Sequence, residues 1–197
     1  MGGKIDNRPN LILFGDSITV GEYISPHLTW ATRIAAAVEA WRPKWRTIVA
    51  ARNGDTTRTA LERMDFDVLR YGKVDVLVTQ FGHNDGHIWQ TAGGVRVVPS
   101  SYVQNLAEIH ARAQRFGCKD ILHIVPHRVD LPDNKEYEGR LDQYRLAQFK
   151  DRPRVMQIVI ENSDLLDGLH LSEEGHRVYF QDVLPIVQLM IRRVEES

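Results

Sequence analysis

Residues Val74 to Phe81 read VDVLVTQF and run directly into Gly82. A short apolar run of this kind, rich in β-branched residues and closed by glycine, predicts a strand buried on both faces. Working outward, four further runs share the pattern: Asn10 to Phe14 after Pro9, Arg46 to Ala51, Ile121 to Val125 stopped by Pro126, and Val155 to Ile160. The stretches between them carry helical spacing. Leu28 to Trp41 sets Ile34, Val38 and Trp41 on one face, and Thr57 to Arg70 follows the second run. Ser101 to Phe116 has Ser100 or Ser101 as a cap and Gly117 as a stop, and Leu141 to Lys150 is a further helical segment. Ser172 with Glu173 and Glu174 opens a last helix to about Val194. Its stripe of Val178, Val183, Ile186, Val187 and Met190 faces a core, and Pro185 predicts a kink. Strands interleaved with helices predict an α/β fold with a five-stranded parallel sheet, in which ligands collect at the carboxyl ends of the strands.

The chain has 197 residues, 43% hydrophobic and 26% charged, with 25 Lys plus Arg against 26 Asp plus Glu for a net charge of −1. That length fits a single domain over residues 1–197 with a sizeable core. A near-neutral chain without a basic stripe argues against nucleic acid as a partner. The lone Cys118 removes intramolecular disulfides and paired-cysteine zinc sites. The apolar run Val183 to Ile191, interrupted by Pro185 and Gln188, is too short to span a bilayer. Met1-Gly2-Gly3-Lys4 opens no signal peptide and Asp6 breaks the myristoylation pattern, so the expectation is a cytoplasmic protein, with a domain cut from a longer secreted or viral chain as the alternative. No repeat or composition break is present, and oligomeric state is not legible.

Four polar clusters fall at or after strand ends. Gly15-Asp16-Ser17-Ile18 follows the first run; taken alone it reads first as a helix cap, since Ser and Asp both favour that position, with a Ser17 hydroxyl facing the ligand edge as the alternative. Asn53-Gly54-Asp55-Thr56-Thr57-Arg58 follows the second, as ordinary turn chemistry or as a backbone N–H brought close to a ligand. Gly82-His83-Asn84-Asp85 follows the third, and the Asn84 amide there is a candidate donor to a developing negative charge. Near the C-terminus, Asp167-Gly168-Leu169-His170 places a carboxylate three residues before an imidazole, close enough to fix its tautomer. Together they make a Ser-His-Asp set in the chain order Ser17, Asp167, His170: a weak hydroxyl nucleophile, the base it needs, and a group orienting that base. Ser17 N–H, Gly54 N–H and the Asn84 amide are candidates for an oxyanion hole.

These blocks resemble the SGNH/GDSL hydrolases: LFGDSIT (Leu13 to Thr19), NGDTT after strand two, FGHND (Phe81 to Asp85) and DGLHLSEEG (Asp167 to Gly175) follow the family's four blocks in order. The resemblance implies a flavodoxin-like three-layer α/β/α sandwich. It also implies Ser17 as nucleophile, Asp167 and His170 as its partners, and Ser17, Gly54 and Asn84 as the oxyanion hole. Gly54 to Leu61, the stretch through Tyr102 and Asn105, and DGLHLS look closest to isoamyl-acetate-hydrolysing-esterase-like members. The implied reaction is hydrolysis of short acyl esters, acetyl-type, of a small alcohol or a carbohydrate, without a cofactor. Acyl transfer to an alcohol by the same residues is the near alternative.

For the substrate pocket the candidates are Asp16, Trp89, His127 and Arg128. Trp89 lies in Gly86 to Pro99 (GHIWQTAGGVRVVP), where Gly93-Gly94 suggests a hinge, and a packed surface loop is the equal alternative. Arg128 reads as an anion or sugar contact or as a surface ion pair. His83, Asp85 and His87 have a spacing that suits a metal-dependent phosphoesterase, a rival of a different reaction class, although the order of its signature is not matched. No Gly-x-Gly-x-x-Gly follows the first run and no Walker loop occurs.

Overall fold

The buried runs pair as five parallel strands in the order β2-β1-β3-β4-β5. The computed structural model describes residues 8–89, 91, 93–147, 149 and 153–197. The readings made on Met1 to Lys4 and on Asp6, and the helix end expected at Lys150, lie outside the described residues. The elements, in chain order, are β1 (Asn10–Gly15), α1 (Ser17–Val20), α2 (Trp30–Trp41), β2 (Arg46–Ala51), α3 (Thr57–Asp67), β3 (Val76–Gln80), α4 (Pro99–Arg115), β4 (Asp120–Ile124), α5 (Lys135–Arg145), β5 (Arg154–Met156) and α6 (Glu173–Glu196). This is the flavodoxin-like three-layer α/β/α arrangement.

The period of two along a strand divides the core into two halves, one on each face of the sheet. Ile12, Phe14, Leu77 and Ile121 pack with Ala60 and Met64 of α3, Leu106 and Ile109 of α4, and Tyr137, Leu141 and Tyr144 of α5. Leu11, Leu13, Val76, Val78, Leu122 and Ile124 pack with Ile34 and Val38 of α2 and with Tyr179, Val183, Val187 and Met190 of α6. The central strands β1 and β3 are buried along their whole length, so they read as mainly apolar runs instead of alternating ones, whereas β2 and β5 at the edges are partly exposed. The strand order reverses at β1, which lies between β2 and β3. In such sheets the crevice beyond the carboxyl ends at that reversal is the ligand edge.

Several boundaries differ from expectation for local reasons. The expected Leu28–Trp41 helix divides into a 3-10 turn, Pro26–Leu28, and α2, because Thr29 caps α2 by accepting the Thr32 amide. The Thr57–Arg70 helix ends at Asp67 and a 3-10 turn follows. Neither Ser100 nor Ser101 caps α4. Pro99 occupies its first turn, where the missing N–H costs nothing, and Val98 stands before it without a side-chain cap. The helix expected over Leu141–Lys150 is displaced toward the N-terminus as α5, whose buried positions Tyr137, Leu141 and Tyr144 follow the i, i+4, i+7 pattern. The fifth strand keeps three residues. Val125 N–H reaches Met156 O at 2.9 Å, Pro126 then ends the neighbouring strand, and Ile158 and Ile160 enter the core without pairing. Helix α6 is one element through Pro185. Among the described residues, no helix is long and apolar enough to cross a membrane.

Candidate active site

Three of the predicted residues meet at the ligand edge. Ser17 is the first residue of α1 and is 6% exposed. His170 Nε2 lies 3.1 Å from Ser17 Oγ, and His170 Nδ1 lies 2.7 Å from Asp167 Oδ2. The line hydroxyl, imidazole, carboxylate is therefore complete. Asp167 also holds its own loop, since its Oδ1 accepts the Leu169 amide at 3.0 Å and the His170 amide at 2.7 Å. Partial burial opposes ionisation of Asp167, but the hydrogen bonds from the His170 ring and from these amides outweigh it and keep the carboxyl below the usual carboxylate range.

The surrounding structure fixes this loop tightly. Gly168 takes φ +82, and a Cβ there would stand 2.0 Å from the Asp130 carbonyl oxygen, so both the backbone conformation and the close approach demand glycine. Gly168 O accepts the Asp130 amide at 2.7 Å, and Leu166 N–H donates to His170 O at 2.8 Å. The His127 ring spans from below, with Nε2 2.9 Å from Leu169 O and Nδ1 2.7 Å from the Tyr179 hydroxyl. Because a carbonyl only accepts, Nε2 carries the proton and Nδ1 accepts from Tyr179. Burial pushes His127 down to about 4, which keeps the ring neutral.

Two strand-end turns frame Ser17. Arg63, buried on α3, pairs with Asp55 and donates to Gly15 O at 3.2 Å and Ala50 O at 3.1 Å, tying the ends of β1 and β2 to the turn that carries Gly54. Asp85 accepts the Thr57 hydroxyl at 2.5 Å and the Thr57 amide at 3.1 Å, which ties the loop carrying Asn84 to the start of α3. Asn105 on α4 donates to the same Thr57 hydroxyl at 3.0 Å. Gly54 is exposed and Asn84 half-buried. Among the described residues, neither the Ser17 nor the Gly54 amide donates to another backbone carbonyl. A cleft of about 470 Å³ opens beside Gly54, with Arg52, Glu62 and Phe66 in its wall.

The expected substrate pocket needs correction at two positions. Asp16 is fully buried and serves as the N-cap of α1, its Oδ1 accepting the Ile18 amide at 3.0 Å. Burial pushes its carboxyl well above the usual range; the neighbouring Asp85 and Asp55 add to this, against the opposing Ile18 and Asn84 donors. His127 is likewise fully buried and bonded beneath the loop, as described above. Both support the edge from below and neither lines it. Trp89 is half-exposed, under the Arg96 guanidinium at 5.0 Å, in an excursion closed by the Ile88–Val95 bridge. Gln90 and Ala92 of that segment lie outside the described residues. Arg128 is exposed and pairs with Glu138 at 3.3 Å.

The metal-like trio diverges. His83 packs against His127 with tilted rings whose centroids are 4.3 Å apart, Asp85 faces Thr57, and His87 packs tilted against Tyr137 at 4.9 Å. Among the described residues, no group of three or more His, Cys, Asp or Glu is placed to hold a metal ion. Burial pushes the Cys118 thiol up to about 12, so it is no nucleophile.

Two residues that the sequence patterns did not single out stand at the imidazole. Glu22 Oε2 lies 3.3 Å from His170 Nε2, and the Tyr23 ring meets the His170 ring edge-on with centroids 5.4 Å apart. Their only sequence signal is Gly21, which ends α1 five residues after Asp16 and turns the chain back.

The model of the GDSL-like Lipase/Acylhydrolase family matches residues 13–178. No curated protein sequence matches the chain. Among solved structures, a lipase/acylhydrolase from Enterococcus faecalis superposes with a TM-score of 0.72 at 23% identity, covering 93% of this chain and 96% of that one. An alpha/beta hydrolase enzyme from the metagenome of Lake Arreo, Spain, gives 0.72 at 22% identity, covering 90% and 94%. A catalytic mutant of an acetylxylan esterase from Geobacillus stearothermophilus gives 0.72 at 18% identity, covering 94% of each chain.

Proposed function

The chain belongs to the GDSL-like lipase/acylhydrolase family, whose reaction class is carboxylic ester hydrolysis, and from that premise we propose that it cleaves short acyl esters through an acyl-enzyme on Ser17. The observation that carries this reading is the unbroken line from Ser17 Oγ through the His170 ring to Asp167, at 3.1 and 2.7 Å. With Asp167 accepting from Nδ1–H, the Nε2 lone pair faces the serine hydroxyl. Ser17 Oγ attacks the ester carbonyl carbon as its proton passes to Nε2. The tetrahedral oxyanion is held by the Ser17 and Gly54 N–H groups and the Asn84 amide. Collapse breaks the bond to the alcohol oxygen, which takes the Nε2 proton as the alcohol departs. Water then repeats the sequence: it gives a proton to His170, attacks the acyl carbon, and releases the acid as Ser17 recovers its proton.

No step needs a metal or an organic cofactor. The acyl group is acetyl-sized in this proposal, and acetyl esters of carbohydrates and of small alcohols are the substrate classes to compare. The structural likeness to an acetylxylan esterase supports including the first.

The test is hydrolysis of p-nitrophenyl esters from acetate to long acyl chains by wild type and Ser17→Ala, each with and without EDTA. Activity that resists EDTA, is lost in Ser17→Ala and is greatest on acetate is the expected result. Turnover that survives Ser17→Ala and stops with EDTA would transfer the chemistry to a metal site and overturn the proposal.

A further inference from the structure

Glu22 has no assigned part in the scheme above, yet its carboxylate oxygen is 3.3 Å from the nitrogen that shuttles the proton. It is placed there by local structure. Gly21 takes φ +78 at the end of α1, and a Cβ on it would stand 2.2 Å from the Thr29 side chain, so the turn is seated against the start of α2. Gly21 and Glu22 N–H both return to Ser17 O, at 2.9 and 3.2 Å, which fixes Glu22 relative to the serine itself. Tyr23 then adopts φ +69, a conformation that a bulky residue takes only when its surroundings impose it. Such imposed backbone strain gathers at functional sites.

The hydrogen-bond inventory at Glu22 is unbalanced. In the reactive form of the site, the His170 proton is on Nδ1, toward Asp167, and Nε2 presents a lone pair. Glu22 Oε2 and Nε2 are then two acceptors facing one another, and no hydrogen bond joins them. Among the described residues, no donor side chain or amide other than His170 reaches the Glu22 carboxylate, whose side chain is 28% exposed. The leaving alcohol oxygen must come within hydrogen-bond distance of the same Nε2 to receive its proton. The atoms next to that oxygen therefore arrive beside a carboxylate that lacks a donor.

Given the esterase proposed above, on which this step rests, we infer that Glu22 determines leaving-group specificity by accepting a hydrogen bond from a hydroxyl adjacent to the ester-bearing carbon of the alcohol. The class of substrate this selects is the acyl ester of a polyol. A plain alkanol ester buries the carboxylate without supplying a donor, and a site built to bond a hydroxyl discriminates strongly against the analogue that lacks it. Tyr23, 72% exposed beside the imidazole, supplies an adjoining surface for the carbon skeleton.

The experiment compares kcat/KM for glyceryl 1-monoacetate and propyl acetate, which share a three-carbon chain and differ in the hydroxyls, in wild type, Glu22→Gln, Glu22→Ala and Ser17→Ala. Wild type is expected to favour the glyceryl ester by about ten-fold or more, the scale of one hydrogen bond to a charged group. Glu22→Ala brings that ratio to within about two-fold, and Glu22→Gln, which still accepts, falls between. A ratio unchanged in Glu22→Ala, or an equal fall on both esters, overturns the inference; the equal fall would assign Glu22 to holding His170. Wild type no faster than Ser17→Ala on either ester would overturn the esterase proposal itself, and the two failures are thereby told apart.

Discussion

Ser17 and His170 are 153 residues apart in the chain, and their Oγ and Nε2 atoms are 3.1 Å apart in the fold. One stands at the first turn after β1 and the other on the loop before α6, so only the assembled sheet brings them together. Residues acting as one unit fail as one. Ser17→Ala and His170→Ala should each lower kcat on p-nitrophenyl acetate by on the order of 10⁶ or to the uncatalysed rate, and Asp167→Ala by on the order of 10⁴. Steady-state kinetics with circular dichroism as the folding control checks this; additive losses in the double variants would contradict it.

In the proposed mechanism Asn84 contributes differently, because its amide is assigned to charge that exists only in the transition state. Asn84→Ala should cost about 3–4 kcal/mol of barrier, seen as a 10²- to 10³-fold fall in kcat with KM little changed. A rise in KM at constant kcat would mean that the amide binds the ground-state substrate instead.

The central strands were legible because they are covered on both faces, so Leu11 to Phe14 and Val76 to Val78 carry no polar alternation to confuse the period. Ser17, Asp167 and His170 stood out because a hydroxyl, a carboxylate and an imidazole in that chain order are the residue types an activated serine needs, and the fold brings the three side chains together. Glu22 was not. It occupies the imidazole only because Gly21 folds the chain against Thr29, a tertiary contact with no local pattern. His127 was misplaced for a related reason: a histidine after a strand end looks like an edge residue until Tyr179, 52 residues on, and Leu169 are seen to use both its nitrogens. The start of α5 was obscured by the polar residues that interrupt its buried stripe of Tyr137, Leu141 and Tyr144.

Gly168 should tolerate no side chain. Gly168→Ala must accept a left-handed backbone, costing about 1–2 kcal/mol, and must also displace the Asp130 carbonyl. The movement falls on the loop between Asp167 and His170, so kcat is expected to drop at least about ten-fold, a loss of about 1.4 kcal/mol, along with the melting temperature. Gly139 is the control: it sits within α5 with nothing near a new Cβ, and Gly139→Ala should stabilise by about 0.5–1 kcal/mol. Equal effects of the two substitutions would refute the prediction.

Asp85 makes stability depend on pH. Burial pushes its carboxyl up to about 7, even with the Thr57 donors opposing. The unfolded chain ionises the same group at about 3.9. Between these values the folded state keeps a proton that the unfolded state has released. Stability from this group therefore declines as pH rises through that window, by about 4 kcal/mol in all. Asp85→Asn does not ionise, so urea denaturation of wild type and variant from pH 4 to pH 8 should show their difference moving in the variant's favour with rising pH. A difference that stays constant would exclude this linkage.

His127 gives the opposite slope. The folded ring titrates at about 4 and the unfolded ring at about 6.5, so below pH 6.5 the unfolded chain takes up a proton that the folded one refuses. The contribution is complete above that value and is lost as pH falls toward 4, about 3 kcal/mol in total. The loss falls first on one loop. Protonation of Nδ1 removes the acceptor of the Tyr179 hydroxyl, and Nε2 holds the carbonyl of Leu169, the neighbour of His170. Amide hydrogen exchange between pH 6.5 and 4.5 should therefore show the 165–171 loop losing protection before the core of the sheet. His127→Gln should flatten the fall in stability over that range, and a wild-type slope retained in the variant would place the acid-sensitive group elsewhere.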